Sequence, residues 1–209
     1  MFIKMNNKDL FKKYKLDVLN KIDKSPKGYI DDKIKSLCDL INSREDMFTL
    51  STCSGRICIL EKNDGKKNSK WLFVTHDLII DTKKIFKIID NYESNGFLEF
   101  RQESVIMHIV VKDFEVASFL MNIAKISGFN KVGIIAFKKK IVIELICDID
   151  LVIPIYDLND NNSNSENNKL QRNKLIEDNF LNYLILRANS NLEKSWNIIK
   201  KIENNLAKY

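Results

Sequence analysis

Apolar residues recur at helical spacing twice near the beginning of the chain. From Asn7 to Ile22 the spacing puts one set of side chains on a single helix face: Phe11, Tyr14, Val18 and Ile22. After a turn at residues 25–28, Asp31 or Asp32 is suited to cap a second helix, whose apolar positions are Ile34, Leu37, Cys38 and Ile41. The pattern therefore predicts two N-terminal helices, each with one apolar face.

Farther along the chain, short apolar runs bounded by polar residues alternate with further helical patterns. We predict strands over 47–52, 56–61, 71–76, 97–101, 104–111, 132–137, 141–147 and 151–155. We predict helices over 82–91 and 113–127 and one long helix over 170–209, whose apolar stripe includes Leu175, Leu184, Trp196 and Ile202. The order strand-strand-helix occurs at 56–91 and again at 97–127. This indicates an α+β fold, with helices packed on a β-sheet and with internal pseudo-symmetry.

Length and composition permit one large globular domain or two small ones, and we predict a single domain over residues 1–209. Hydrophobic residues make up 44% of the chain and charged residues 30%, which is typical of soluble domains rather than disordered chains. Residues 159–168 contain no apolar side chain, and this Asn-rich run is typical of a flexible insert. No apolar run approaches the roughly 18 residues of a membrane span, and the N-terminus lacks the pattern of a secretory signal. We therefore expect a protein of the cytoplasm or nucleus, with the cytoplasm as the first expectation, and no membrane partner.

The cysteines and the net charge bear on whether the protein has disulfides, binds a metal or binds RNA. The four cysteines are Cys38, Cys53, Cys58 and Cys147, and no pair has CxxC spacing. Such scattered cysteines are typical of reduced intracellular thiols, so we expect neither a disulfide framework nor a metal site. The net charge of +6 permits contacts with RNA phosphates but does not require them.

A polar loop between two predicted strands is the main candidate site. Residues 51–56 read Ser-Thr-Cys-Ser-Gly-Arg. The serine and threonine hydroxyls donate and accept hydrogen bonds, Gly55 permits a positive φ, and Arg56 offers a planar fork of donors for a carboxylate or phosphate. The same six residues are also compatible with a simple tight turn that carries a surface arginine.

Other polar groups lie at neighbouring strand and helix ends: Lys27, Asp31, His76, Glu103 and His108. Histidine titrates near neutrality and suits proton transfer, although a histidine in a strand is more often structural than catalytic. The chain has no GxGxxG, HExxH, GxSxG or P-loop motif. The residues alone therefore predict a polar, arginine-containing site of undefined chemistry.

Five segments of the chain match, in order and spacing, the segments of one known family. They are residues 24–31 (KSPKGYID), 50–57 (LSTCSGRI), 71–76 (WLFVTH), 100–108 (FRQESVIMH) and 127–129 (SGF). On these residues the chain resembles the tRNA wybutosine-synthesizing protein 3 family. The resemblance extends from about Asp23 to Pro154 and includes the final helix. Two positions depart from the family pattern: Val132 stands where members usually have serine, and Ile146 where they commonly have arginine.

The resemblance implies a methyltransferase that uses S-adenosylmethionine and has a mixed α/β fold other than the Rossmann fold. The family reaction methylates N4 of the demethylated wyosine precursor, which lies 3′ of the anticodon in phenylalanine tRNA. His76 or His108 would accept a proton, and Glu103 would orient an imidazole or hold the ammonium group of the methyl donor. The donor would be held by the loop residues Ser51, Cys53, Ser54, Gly55 and Arg56, unless Arg56 grips a tRNA phosphate instead.

The anticodon loop of the tRNA would contact a second set of residues: Lys27, Asp31 and Trp71. Trp71 or Phe73 would receive the modified base, and the lysines of residues 62–70 and 138–140 would contact phosphates. Two alternatives remain open on the sequence. One is a non-catalytic RNA-binding protein of the same fold, and the other is a methyltransferase of this fold that acts on a different modified base.

Overall fold

The computed structural model describes residues 7–20, 28–62, 69–92, 97–159 and 171–209. Within these ranges the helices are α1 (Asn7–Leu19), α2 (Asp32–Ser43), α3 (Thr82–Asp90), α4 (Phe114–Ser127) and α5 (Asp178–Leu206). The strands are β1 (Met47–Cys53), β2 (Arg56–Lys62), β3 (Lys70–Thr75), β4 (Phe97–Glu103), β5 (Ile106–Val111), β6 (Lys131–Ala136), β7 (Ile141–Ile146), β8 (Leu151–Asn159) and β9 (Gln171–Lys174). The predicted α+β class, with two N-terminal helices and a long C-terminal helix, is confirmed.

The contacts of the chain divide it into two compact units. Unit 1 comprises Met1–Ser54, Val105–Asp148 and Ser195–Tyr209, and unit 2 comprises Gly55–Ser104 and Ile149–Lys194. Each unit contains its own antiparallel sheet. That the whole chain folds as one domain stays a prediction.

Unit 1 is built on the sheet β1-β5-β7-β6, with helices on both faces. Helix α2 packs on β1 and α4 packs on β5, β6 and β7. Helix α1 covers one end of the face that carries Phe48, because Phe11, Tyr14 and Val18 pack against a buried cluster of Phe48, Val110 and Val142. The opposite face meets α2, whose Asn42 bonds Thr49, the residue that follows Phe48. Because successive side chains of a strand alternate between faces, this arrangement decides which polar residues share the face with α1.

Unit 2 is built on the sheet β3-β2-β4-β8-β9. One face is apolar and buried, with Ile57, Ile59, Leu98 and Phe100 among its fully buried residues. The other face carries charged side chains from β2 and β4. The N-terminal part of α5 contributes an apolar stripe to this unit: Leu181, Leu184, Ile185, Ala188 and Leu192, each at most 2% exposed.

The predicted strand-strand-helix order occurs twice along the chain, as β2-β3-α3 and β4-β5-α4, but its strands belong to two sheets. Strands β4 and β5 are neighbours in sequence, but β4 pairs with β2 and β8 whereas β5 pairs with β1 and β7. The repeat therefore exists in chain order and not in space. Periodicity predicts which segments are strands, but it carries little information about which distant strand each one pairs with.

The C-terminal helix also begins later than predicted. Residues Gln171–Lys174 form β9, which pairs with β8, and α5 starts at Asp178. Leu175, assigned to the helical stripe, is 49% exposed and lies outside the helix. Of the predicted insert, Asn159 ends β8 and the remainder lies outside the described residues. In the part of the chain that the structure describes, no helix is both long and apolar enough to cross a membrane.

Candidate functional site

The structure distributes the predicted site residues between the two units. Unit 1 holds Asp31, Ser51, Cys53, Ser54 and His108, and unit 2 holds Gly55, Arg56, Trp71, His76 and Glu103. Lys27 lies outside the described residues. The contacts within each unit bring several of these residues together, in pairs and small clusters.

Asp31 and Ser54 form a buried pair in unit 1. Asp31 occupies the N-cap position of α2, as predicted, and its backbone oxygen accepts the N–H of Ile34 and of Lys35 at 3.0 Å each. Its side chain makes no cap hydrogen bond and instead accepts from the Ser54 amide at 3.1 Å and the Ser54 hydroxyl at 3.0 Å. Because a carboxylate is a strong acceptor at a buried position, Asp31 fixes the end of β1.

Trp196 holds the same serine from its carbonyl side. The indole Nε1–H of Trp196 donates to the Ser54 carbonyl oxygen at 3.0 Å, and the Lys33 ammonium lies 4.8 Å from the centre of the indole ring. The sequence suggested only core packing for Trp196, yet the residue is half-buried and uses its polar edge. Both backbone polar groups of Ser54 are thus bound by side chains of α2 and α5 or their caps.

Gly55 is required by its backbone conformation and by crowding. Its φ is +89°, in the region that side chains disfavour. A Cβ at this position would lie 2.9 Å from the Glu103 carbonyl oxygen and 2.9 Å from Leu192 Cδ2. The glycine in the loop therefore has a structural reason that does not depend on a ligand.

A hydroxyl, an imidazole and a carboxylate form a line across three strands of unit 1. Ser51 Oγ lies 2.7 Å from His108 Nδ1, and His108 Nε2 lies 2.8 Å from Glu144 Oε2. The strand register explains the line, because Ser51 pairs with His108 across β1 and β5, and His108 pairs with Glu144 across β5 and β7. Ser51 is exposed and the other two side chains are about one-quarter to one-third exposed (26% and 31%).

Glu144 was not among the residues predicted for the site. A sequence signal existed, because Glu144 is the one charged residue in the otherwise apolar strand Ile141–Ile146. A charged residue within a buried strand commonly has a partner. The sequence could not identify that partner, because β5 and β7 are separated by α4 and β6 along the chain.

Arg56, Glu103 and Trp71 form a cluster in unit 2. Arg56 Nε donates to Glu103 Oε2 at 2.6 Å, and the guanidinium carbon lies 4.6 Å from the centre of the Trp71 ring. Both Arg56 and Glu103 are about one-third exposed, and Trp71 is 45% exposed. The described contacts of Glu103 are with arginines, since Arg101 Nη1 lies 3.8 Å from Glu103 Oε1. An imidazole contact for Glu103 is not among them.

A further ion-pair network continues along the same strands. Glu99 accepts from Lys62 Nζ at 3.0 Å and from Arg101 Nε at 2.6 Å. Burial by itself would raise the pKa of Glu99, but the hydrogen bonds from Lys62 and Arg101 outweigh it and hold the pKa below its ordinary value. Glu99 is therefore ionised near neutral pH, and the network alternates in charge along β4. Sequence reasoning missed Glu99 and Arg101 as members of this surface.

His76 binds the backbone of the loop. Its Nδ1 lies 3.0 Å from the Gly55 carbonyl oxygen. A carbonyl oxygen can only accept, so Nδ1 carries the hydrogen and Nε2 is the basic nitrogen of the neutral ring. In His108 the carboxylate of Glu144 can only accept, so Nε2 carries the hydrogen and Nδ1 is the basic nitrogen. The basic nitrogens of the two neutral rings therefore occupy different positions, Nε2 in His76 and Nδ1 in His108.

These clusters suit two kinds of chemistry. The Ser51, His108 and Glu144 line can take up a proton at an exposed hydroxyl. The adjacent guanidinium and carboxylate of Arg56 and Glu103 can receive the carboxylate and ammonium of an amino acid, and the exposed Trp71 ring can stack on a base.

Comparison with known proteins places the chain among tRNA-modifying enzymes. A family model described as methyltransferase TYW3 matches residues 11–208. The chain is 32% identical to a protein of Thermococcus sibiricus named tRNA(Phe) 7-((3-amino-3-carboxypropyl)-4-demethylwyosine(37)-N(4))-methyltransferase, over all of this chain and 98% of that one. It is 35% identical over 155 residues to an Arabidopsis thaliana protein named tRNA wybutosine-synthesizing protein 2/3/4, but the match covers 65% of this chain and only 15% of that protein.

A solved structure has the same fold. The PH1069 protein of Pyrococcus horikoshii superposes with a TM-score of 0.76 at 27% identity, covering 97% of this chain and 98% of that one. The mixed α+β architecture is therefore shared over nearly the whole length of both chains.

Proposed function

Because the chain belongs to the TYW3 methyltransferase family, we propose that it methylates N4 of the demethylated wyosine precursor in phenylalanine tRNA, with S-adenosylmethionine as the methyl donor. The observation that carries the proposal is the match to the Thermococcus sibiricus methyltransferase over the full length of this chain. The Ser-Thr-Cys-Ser-Gly-Arg loop, which also carries the resemblance in the sequence, lies within the matched range.

The residues of the loop and its neighbours fit the methyl donor. Its amino-acid end carries an ammonium and a carboxylate, and Arg56 and Glu103 lie side by side with complementary charges. The proposed donor-binding set is Ser51, Cys53 and Arg56, with Glu103 for the ammonium, whereas Ser54 and Gly55 are buried and hold the loop in place. When bound, S-adenosylmethionine would supply an electrophilic sulfonium methyl group for the acceptor nitrogen.

The protein's own task in this reaction is to accept the proton that the N4 nitrogen loses. His108 directs Nδ1 toward the exposed Ser51 hydroxyl, whereas His76 directs Nδ1 toward the Gly55 carbonyl oxygen. A base that is neutral near pH 7 and aligned with the acceptor contributes about 10²–10⁴ to the rate. We assign this part to one of the two histidines, with His108 favoured because a carboxylate holds its ring.

Of the predicted tRNA-binding set, we assign Lys27 and Trp71, together with exposed lysines, to the tRNA. Trp71 is 45% exposed, as a ring that receives a base requires. Asp31 is 7% exposed and bound to Ser54, so its part is to hold the loop. Phe73 contacts Lys84 and is half-buried, which favours Trp71 of the two aromatic candidates. All four cysteines are thiols, and we propose the cytoplasm as the place where the enzyme acts.

The experiment that tests the function is transfer of labelled methyl from S-adenosylmethionine to phenylalanine tRNA that carries the demethylated precursor. We expect incorporation at that base by the wild-type protein. His108→Ala should lower the single-turnover rate by about 10²–10⁴. Arg56→Ala should raise the KM for the donor about tenfold to a hundredfold, because it removes a charge-assisted hydrogen bond worth about 1.5–3 kcal/mol.

The matched control for Arg56→Ala is Arg187→Ala, which removes an exposed arginine of α5. This variant should retain the wild-type KM. Wild-type protein that binds the tRNA without transferring methyl would contradict the proposal and favour the non-catalytic RNA-binding alternative. Methylation at another nucleoside, identified by mass spectrometry, would favour a different modified base as substrate.

A further inference from the structure

Glu144 is the one member of the line across unit 1 for which neither the family resemblance nor the predicted site has a part. Glu144 lies on β7, and its carboxylate is 2.8 Å from His108 Nε2. Its neighbour on β6 is Gly133, which leaves open space beside the Glu144 side chain. A carboxylate has no hydrogen to donate, so the contact is an Nε2–H donated to Oε2. The contact therefore determines which ring nitrogen of His108 carries the hydrogen.

The consequence appears at the other ring nitrogen. With the hydrogen on Nε2, the lone pair of the neutral ring is on Nδ1, and Nδ1 faces the Ser51 hydroxyl at 2.7 Å. Ser51 then donates its hydrogen to Nδ1 and leaves its oxygen lone pairs toward solvent, where Ser51 is exposed. When Ser51 Oγ accepts a proton, the hydroxyl hydrogen of Ser51 passes to His108 Nδ1, so that Ser51 stays neutral.

The surroundings of the ring support this assignment. Other titratable groups of the same sheet face are Cys53 on β1, Lys131 on β6 and, on the helix that covers one end of the face, Tyr14. Lys131 bonds Asp148 at 2.5 Å, and Tyr14 accepts from Lys140 at 2.5 Å. The described contacts of the imidazole are with Ser51 and Glu144.

We propose that Glu144 is a positioning residue of the methyl transfer, which holds His108 in its Nε2–H form so that Nδ1 can accept the acceptor's proton through Ser51. The inference rests on the proposed function. It concerns how the base is prepared, and a signal of the protein alone can therefore test it. Glu144 itself does not touch the reacting atoms, whereas Ser51 and His108 do.

The ring nitrogens can be read directly, because the chain contains only two histidines. Tag-free protein labelled with ¹⁵N-histidine is measured at about pH 9, where imidazole side chains are ordinarily neutral. We expect opposite tautomers in the wild-type protein: Nε2–H for His108 and Nδ1–H for His76, which bonds the Gly55 carbonyl. A His76→Asn sample assigns the signals, and His76 then serves as an internal control within each spectrum.

Two substitutions of Glu144 test whether its hydrogen-bond acceptor, rather than its bulk, sets the tautomer of His108. Glu144→Ala removes the acceptor, so His108 should become a mixture of tautomers while the His76 signals stay unchanged. Glu144→Gln keeps an acceptor oxygen and should retain the Nε2–H form. Circular dichroism and thermal unfolding of each variant report whether the sheet is intact, and Glu115→Ala, at an exposed position of α4, is the control for loss of a glutamate.

The reaction supplies the second readout. We expect Glu144→Ala to lower the single-turnover rate about tenfold or more, with the KM for the methyl donor unchanged, and Glu144→Gln to recover most of the rate. An unchanged His108 tautomer in Glu144→Ala would overturn the inference. So would a changed tautomer with the wild-type rate, or a glutamine variant that keeps the tautomer but loses as much rate as the alanine variant. Failure of the proposed function appears separately, as wild-type protein without methyl transfer but with the Nε2–H signal of His108.

Discussion

Several residues of the candidate site have a function in the fold that their sequence position does not reveal. Asp31 stands at a helix N-cap but gives its carboxylate to Ser54, and Trp196 stands in an apolar stripe but gives its indole N–H to the Ser54 carbonyl. These two side chains form hydrogen bonds with the polar groups of Ser54, just after β1. Such partners are needed because a buried N–H or C=O without a hydrogen bond is costly in free energy. The residue types were predictable from the sequence, and their partners were not.

Buried thiols provide a pH-dependent prediction at the residue scale. Burial raises the pKa of Cys58 to about 12 and that of Cys38 to about 11. The unfolded chain releases these protons at lower pH than the folded protein, so the free energy of unfolding should fall as pH rises above about 9. Cys58→Ala should reduce that decline by up to about 1.4 kcal/mol per pH unit.

Urea unfolding at pH 8 and at pH 10.5 measures the effect, with Cys53→Ala as the control at a half-buried position. The quantity to compare is the change in the free energy of unfolding between the two pH values. Each alanine substitution also alters packing, but that contribution is present at both pH values and cancels in the change. An equal decline in the Cys58→Ala variant and the wild-type protein would contradict the assignment of the effect to this thiol.

At the scale of elements, most helices and strands begin and end within a few residues of their predicted bounds. Helix α4, for example, is capped by Asp113, whose side chain accepts from the Val116 amide, and it ends at Gly128 with φ of +111°. Strand β9 had no signal, because Gln-Arg-Asn-Lys lacks alternating apolar residues and depends on pairing with β8. The sequence therefore predicts a helix or strand when the element's own residues favour it. It does not predict a strand that forms only because a neighbouring strand pairs with it.

A prediction about the stability of the fold concerns Gly55, which lies between β1 and β2. Gly55→Ala should lower the free energy of unfolding by about 1–3 kcal/mol, because alanine at a positive φ is strained and its Cβ would lie 2.9 Å from two neighbouring atoms. Gly133→Ala is a matched control, since a Cβ there meets no atom within 4 Å. Thermal and urea unfolding of both variants measure the difference. Equal stability of the two variants would show that the loop relaxes around the added methyl group.

At the scale of the whole molecule, the chain crosses between its units after Ser54, Ser104, Asp148 and Lys194. Each sheet is therefore assembled from strands that are far apart in sequence, which costs loop-closure entropy and makes pairing a property of the complete fold. The net charge of +6 is also a property of the whole chain, and exposed lysines determine where it meets a polyanion.

Lys138 and Lys139 are the exposed members of the 138–140 turn, whereas Lys140 bonds Tyr14 and lies 5.1 Å from its ring centre. If the pair contacts phosphates, substituting both lysines by alanine should weaken tRNA binding and reduce the slope of log K against log salt by about 1.4–1.8. Filter binding between 50 and 200 mM salt (roughly the range in which such slopes are measured) provides the test.

The control pair is Lys200 and Lys201, which are adjacent, exposed and on α5 of the same unit. Their substitution by alanine changes net charge by the same amount and should leave a larger salt slope than the variant at 138–139. Equal slopes in the two double variants would mean that the 138–140 turn contributes only to the overall charge.

By itself, the sequence determined the α+β class, the position of most elements and the family, because these depend on periodicity, capping residues and local motifs. Only the tertiary structure decided that β4 and β5 enter different sheets, that Asp31 binds Ser54, and that Glu144 stands against His108. Those outcomes depend on which distant strands pair and in which register. A shift of one residue would move Glu144 to the opposite face of its sheet, and no local pattern in the chain records that choice.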